Sequence, residues 1–410
     1  MSPDPSSFVN ILSFEDARHC VEDHATRISA PASEAAELLQ SAGHVLAEPV
    51  VADRDFPPFP RATRDGFAVL AADLQMLPAT LEVIGEIKAG ATSALRLEPG
   101  QAAAIMTGAP APTGSDAVVM VEHTTVQGNR VEVSKGVKQG ENIVPAGAEA
   151  RRGAHLVAPG TRIDHAAIAV AASVGMTKLK VFRKPRVAVL ATGDELVDIA
   201  STPGPSQIRN SNSYSLAAQV HAAGGEAIVL PVAPDEPRRL RELMEQGFTA
   251  DLLLLSGGVS IGKYDLVEQV LAKFNTEFFF TGVLIQPGKP AVFGRASSGK
   301  YFFGLPGNPI STMVTFDLFA KPMIEALAGM SARKLVFPAA RLKSAIKTKT
   351  GLKRFLPAIL SGEFENAEVE LAGWQGSGDI ATMARANCYI VIPPNREQIG
   401  AGELVAVMMR

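Results

Sequence analysis

The chain reads as a multidomain α/β-plus-β protein, and three observations predict it. From Pro185 onward strand-like and helix-like stretches alternate; β-rich, glycine-punctuated stretches flank that region on both sides; and 410 residues are too many for one ordinary core. Taken in order, the first pattern is helical from Phe14 to Ala42, where "SEAAELLQSAG" offers Ser33 as N-cap and Gly43 as a stop. After the proline-rich "DFPPFPR", stretches such as "LEVIGEI", "AVVMVEHTTV" and "RVEVS" lie between turn residues recurring about every eight to twelve positions, which predicts a small barrel or sandwich. An Ala-rich helix is expected over Asp164 to Met176, with the N-terminal helices as its partners. The first domain is therefore expected to be discontinuous, 8–51 with 148–183, and to carry the β unit 52–147 as an insertion.

The next segment, 184–331, contains "RVAVLAT", "SYSLAAQVHAAG", "EAIVLPV", "PRRLRELMEQGF", "DLLLLSGG" and "DLVEQVLAKF" in succession. Such alternation predicts a doubly wound, parallel or mixed sheet covered on both faces. Two more strands, "PAVFGR" and "YFFGLP", precede a helix from Ile310 to Leu327, and 332–410 reads as a further, smaller β domain.

Composition narrows the partners. There are 39 Lys and Arg against 42 Asp and Glu, a net charge of -3, with no basic block that would track a phosphate backbone, so nucleic acid is not expected. Cys20 and Cys388 are too few and too distant for a disulfide framework or a Cys-rich zinc site. "MSPDPSSFVN" lacks the features of a signal peptide, and Ala166 to Met176 falls short of a bilayer span, so a cytoplasmic protein with no membrane association is expected. The histidines form no H-x-x-x-H or H-E-x-x-H pair, and there is no G-x-S-x-G elbow.

Ligands of open parallel sheets bind beyond the carboxyl ends of the strands. Four loops qualify: "TGDEL", "VAPDEP", "SGGVSIGKYD" and "LPGNPIS". Their small residues let backbone N–H groups face an anion beside a helix N-terminus. The same loops bring Asp194, Glu195, Asp235, Asp265 and Glu236 towards one rim, and carboxylates beside a phosphate call for a hard cation between them. A Mg²⁺-assisted site for a phosphorylated ligand follows. Taken singly, each of Asp194, Glu195, Asp235 and Asp265 is better explained as a helix cap or first-turn charge, and it is their gathering on one rim that favours a cation. Gly257 to Lys263 matches the spacing of a nucleotide-binding loop, but Tyr264 stands where a Mg²⁺-ligating hydroxyl is required, so a different anion-binding loop is the better reading.

Together with "PGKP", "TRDGFAV" and "IMTGAPAPTGSDAVVM", these loops resemble the MoeA family of molybdopterin molybdenumtransferases over almost the whole chain. The resemblance implies a homodimer of four-domain subunits with a molybdopterin-binding α/β domain and a C-terminal β-barrel. It implies that molybdate is inserted into adenylylated molybdopterin with Mg²⁺ present and AMP released, and that molybdopterin adenylyltransferase and apo molybdoenzymes are partners. The family's motifs place catalytic roles on Asp65, Glu195, Asp235 and Asp265, the last three as the Mg²⁺ ligands. Substrate contacts fall on Thr107, Asp194, Ser256, Gly257, Gly258, Ser260, Lys289, Pro306, Gly307, Asn308, Pro309 and Ser377. The site is expected at the dimer interface. Three departures stand out: Gly282 and Gln286 replace two lysines before P-G-K-P, leaving Lys289, with Lys263 or Arg295 as substitutes; Val144 replaces an arginine, with Glu149 at the acidic position; and Arg64 replaces a methionine. Two rival readings are the adenylyltransferase, disfavoured by Val259 and Ser260, and a non-catalytic scaffolding relative, disfavoured by the retained carboxylates.

Overall fold

A computed structural model describes residues 10–90, 94–258, 266–373 and 375–410. At its centre is a mixed six-stranded sheet in the order Glu226–Val229, Arg186–Ala191, Leu252–Ser256, Tyr301–Leu305, Val292–Arg295, Glu277–Phe280. The first four run parallel, Val292–Arg295 runs antiparallel to them, and Glu277–Phe280 pairs antiparallel with it and so runs in the direction of the first four. Alternate residues of each strand feed opposite cores. Val187, Val189, Leu252, Leu254 and Phe303 face the layer of helices Ser211–Ala223 and Pro309–Leu327, whereas Ala188, Leu190, Leu253, Leu255 and Phe302 face helices Pro237–Gly247 and Leu266–Ala272. Both faces are therefore covered, which is why these strands read as continuous apolar runs. The expected helix 310–327 is broken by a π-helical segment, Phe316–Ala320.

The N-terminal region differs from expectation. A helix does form at Phe14–Ala25, where the Ser13 hydroxyl accepts the Asp16 N–H at 3.0 Å, but "SEAAE" is a strand. Ser33–Glu37 pairs antiparallel with Lys178–Phe182, and a short 3₁₀ turn, Leu39–Ser41, follows. Long-range pairing, with Ala36 and Leu38 packed against Leu179 and Val181, outweighs the helical propensity of the Ala/Glu-rich segment. The Ala-rich helix runs His165–Ser173 and is capped by Asp164. Its partners are the strand residues Val50, Leu179 and Val181 rather than N-terminal helices. Phe14, Ala17 and Val21 of the first helix join the central core instead.

Between these elements lies a six-stranded sheet in the order Ala117–Met120, Gly66–Val69, Gln101–Ile105, Ala79–Ile87, Arg130–Val133, Thr124–Gln127. Phe67, Val69, Ala117 and Val119 fill one of its cores and Ala68, Val118, Ala103 and Ile105 the other. In the C-terminal region Lys353–Ser361, Glu368–Leu371, Ala339–Leu342, Leu404–Met409 and Cys388–Ile392 form a closed barrel, because the first of these strands also pairs with the last. Strand Ile285–Gln286 of the α/β unit adds in parallel to Lys353–Arg354 and seats the barrel beside the central sheet.

Candidate active site

At the carboxyl ends of the central strands three loops lie side by side. The Thr192 N–H donates to the Ser256 carbonyl at 3.1 Å, and the Gly257 N–H to the Leu305 carbonyl at 3.2 Å. Gly257 (φ 90°) and Gly258 (φ 62°) have left-handed backbones, and a Cβ on Gly257 would lie 2.7 Å from the Thr192 carbonyl oxygen. Glycine is required at this turn both for its conformation and for the close approach. Gly307 sits opposite, 3.5 Å from the Gly257 Cα if given a Cβ. Pro306, Gly307 and Asn308 lead into the helix at Pro309, whose Ile310 N–H donates to the Ser377 carbonyl at 3.0 Å.

Asp194 and Asp235 meet at this rim. The Asp194 carboxylate accepts the Asp235 N–H at 3.0 Å, and the buried Thr192 hydroxyl donates to Asp235 at 3.2 Å. Glu195 turns back over Gly193, where an added Cβ would be 2.5 Å from its carboxylate. Three of the expected acids are thus gathered on two loops; Asp265 and Ser260, with Lys263 and Tyr264, lie outside the described residues. Among the described residues no group of three or more His, Cys, Asp or Glu side chains is arranged as a metal cage. Asp194 and Asp235 each engage one oxygen in a described hydrogen bond and keep the other, which fits a cation that takes one or two carboxylates together with substrate phosphate.

One residue that joins the loops escaped sequence reasoning. The Asn212 amide nitrogen lies 2.9 Å from Ser256 Oγ, 2.8 Å from the Gly307 carbonyl and 3.4 Å from Thr312 Oγ1. The Thr312 hydroxyl, with one proton to give, lies within hydrogen-bond reach of the carbonyls of both Pro306 and Asn308.

Beside this rim, a cleft of about 790 Å³ lies between the α/β unit and the barrel, lined by Gln286, Lys289, Ser311, Lys349, Arg354 and Ser377 among others. No carboxylate lines it among the described residues. Arg354 is 6% exposed and has no acidic partner among the described residues: its Nε donates to Gln286 Oε1 at 2.8 Å and its Nη1 to the Leu352 carbonyl at 3.0 Å. Burial pulls its pKa below the ordinary value, but a guanidinium stays charged. A buried cation with no counter-charge among the described residues, beside two lysines and two serines, suits a small dianion. Arg295 does not contribute: it is ion-paired with Glu277 at 2.9 Å and lies over Phe279 on the antiparallel edge of the sheet. Lys349 and Arg354 are the additional cations here. The pair Lys353–Arg354 in "LKRFLP" marks a basic strand opening but shows neither that Arg354 enters the cleft nor that Lys349 joins it.

In the inserted unit the Thr107 N–H and hydroxyl both donate to Asp65, at 2.6 and 2.9 Å, and hold its carboxyl below the usual carboxylate range. Gly66 follows because a Cβ there would lie 1.8 Å from the Val119 carbonyl oxygen. Arg61, opposite Val144 in the pairing of Arg61–Ala62 with Ile143–Val144, ion-pairs with Glu149 at 2.9 Å. No hydrogen bond or ion pair joins the Asp65–Thr107 pair to the rim at Glu195 and Asp235 among the described residues.

Comparison with known proteins bears on all three regions. Residues 12–175 match the model of the MoeA N-terminal region (domain I and II), 188–326 that of the probable molybdopterin binding domain, and 339–409 that of the MoeA C-terminal region (domain IV). The chain is 36% identical over 388 residues to a molybdopterin molybdenumtransferase of Nostoc, covering 92% of this chain and 88% of the relative. It is 34% identical to molybdopterin molybdenumtransferase 1 of Mycobacterium tuberculosis, covering 94% and 98%. Two solved structures of the molybdopterin biosynthesis MoeA protein from Pyrococcus horikoshii also match. One has a TM-score of 0.70 at 33% identity, covering 98% of this chain and 99% of that one; the other has a TM-score of 0.78 at 27% identity, covering 98% and 100%.

Proposed function

The chain belongs to the MoeA family, it is a molybdopterin molybdenumtransferase of molybdenum cofactor biosynthesis, and we propose how its residues divide that work. The observation that carries the proposal is the juxtaposition of an acidic rim with an acid-free basic cleft at the carboxyl edge of one sheet. Adenylylated molybdopterin lies along the loops 192–195, 256–258 and 306–309, with its phosphates on the N–H groups not already given to neighbouring carbonyls, as those of Thr192, Gly193 and Gly257 are, and beside the helix entered at Pro309; a strand, Leu196–Val197, and not the expected helix follows the first loop. Molybdate occupies the cleft, held by Arg354, Lys289, Lys349 and Ser377.

Glu195 and Asp235, with Asp265, would hold Mg²⁺, and Asp194 positions the Asp235 loop through its backbone N–H. When bound, Mg²⁺ would supply charge neutralisation at the phosphate oxygens; AMP departs by hydrolysis of the pyrophosphate linkage, in which one water is consumed and a phosphate monoester stays on the pterin. The dithiolene sulfurs replace oxygens of molybdate, and the released oxygens leave as water once protonated.

Asp65 and Thr107 act on the same substrate from a second copy of the chain, which accounts for their separation from the rim within one chain. The working unit is thus a homodimer. It takes its substrate from a molybdopterin adenylyltransferase and passes its product to apo molybdoenzymes in the cytoplasm. No helix among the described residues is long and apolar enough to cross a membrane. The test against the adenylyltransferase reading is to supply ATP, Mg²⁺ and molybdopterin. No pyrophosphate release is expected, and its appearance without molybdate would refute the assignment.

A further inference from the structure

We infer that Asn212 is a positioning residue, a clamp that holds the loop after Leu252–Ser256 against the loop after Tyr301–Leu305 so that both present their backbone to one phosphate group. The inference rests on reading these loops as the substrate's phosphate cradle. Asn212 lies in the first turn of the helix Ser211–Ala223, outside both loops and 95 residues from Gly307. An amide carries two N–H donors, and here they reach an acceptor on each loop, Ser256 Oγ at 2.9 Å and the Gly307 carbonyl at 2.8 Å.

The neighbouring groups fit this purpose. The Gly307 carbonyl, drawn to Asn212, turns its peptide so that the following N–H faces the other way. Thr312 secures the carbonyls on either side of Gly307, at Pro306 and Asn308. On the facing loop, the left-handed Gly257 and Gly258 follow directly after Ser256. The amide oxygen of Asn212 is buried with no partner among the described residues. The geometry places the donors and leaves the acceptor unmet.

The test uses the full chain, with AMP release from adenylylated molybdopterin in the presence of Mg²⁺ and molybdate. Asn212→Ala is expected to raise KM for the pterin substrate by about tenfold with a much smaller change in kcat, the signature of lost ground-state positioning. Ser256→Ala is expected to raise KM less. The double variant should be no worse than Asn212→Ala alone, because both changes cut the same link. Asn212→Asp keeps the size but turns donors into acceptors facing the Gly307 carbonyl, and should bind more weakly than the alanine variant. Independent, additive effects would overturn the clamp, as would a fall in Tm with KM unchanged. Should Asn212→Ala fail to fold, Ser256→Ala carries the test, and an unchanged KM in that variant refutes the inference. A wild-type chain that releases no AMP refutes the reading of the loops; an active wild type with indifferent variants refutes the clamp alone.

Discussion

Arg354 illustrates how a residue acquires a function from its surroundings. A guanidinium that is 6% exposed and held by the neutral oxygens of Gln286 and Leu352 carries a full charge with no ion pair among the described residues. Arg354→Met should therefore raise the molybdate concentration for half-maximal rate by about tenfold or more, since a charge-assisted hydrogen bond contributes about 1.5–3 kcal/mol. Titration calorimetry with tungstate as a molybdate analogue would check this directly. Asp65 is the opposite case, an exposed carboxylate kept ionised by the Thr107 N–H and hydroxyl. Because its folded pKa is depressed, the contribution of this contact is present above the unfolded carboxylate pKa and is lost as pH falls through the folded value. Thr107→Val removes only the hydroxyl donor, so the acid limb of the pH–rate profile should move towards higher pH if Asp65 must be ionised.

At the scale of elements, what joins the barrel to the α/β unit is partly buried polar chemistry. Asp317, in the π-helical segment, accepts from Tyr389 of the barrel at 2.9 Å and from Gln219 of the helix Ser211–Ala223 at 2.8 Å. Burial raises the Asp317 pKa, opposed by those two hydrogen bonds. A raised carboxyl favours folding most at low pH, and that contribution is lost as pH rises from the unfolded value through the folded one. Asp317→Asn removes this pH-dependent loss, so its Tm relative to wild type should improve as pH increases. Tyr389→Phe, which leaves a buried carboxylate oxygen unmet, should cost about 1–3 kcal/mol in denaturant unfolding.

Elements also show which parts of the structure a sequence exposes. The strand–helix rhythm after Pro185 is local, and the alternation of Val187, Ala188, Val189 and Leu190 between two cores follows from it. Ser33–Glu37 is not local: its Ala- and Glu-rich composition favours a helix, and only pairing with Lys178–Phe182 makes it a strand. The acids Asp194, Glu195 and Asp235 were legible because each follows a strand. Asn212 and Arg354 were not, because their roles come from partners 95 and 68 positions away in the chain.

For the whole molecule, the central claim is that this carboxyl edge of the sheet couples molybdate capture to release of AMP. A shared site predicts that Asp65→Asn and Glu195→Gln chains, each inactive alone, regain part of their activity when mixed as heterodimers, because one of the two sites then has both intact halves. The most direct measurement follows AMP release from adenylylated molybdopterin with Mg²⁺ while titrating molybdate, and assays the product by activation of an apo molybdoenzyme. The account predicts that AMP and active enzyme appear together, both dependent on molybdate and both shifted to higher molybdate by Arg354→Met. AMP release without any active enzyme, or activation indifferent to Arg354, would contradict it.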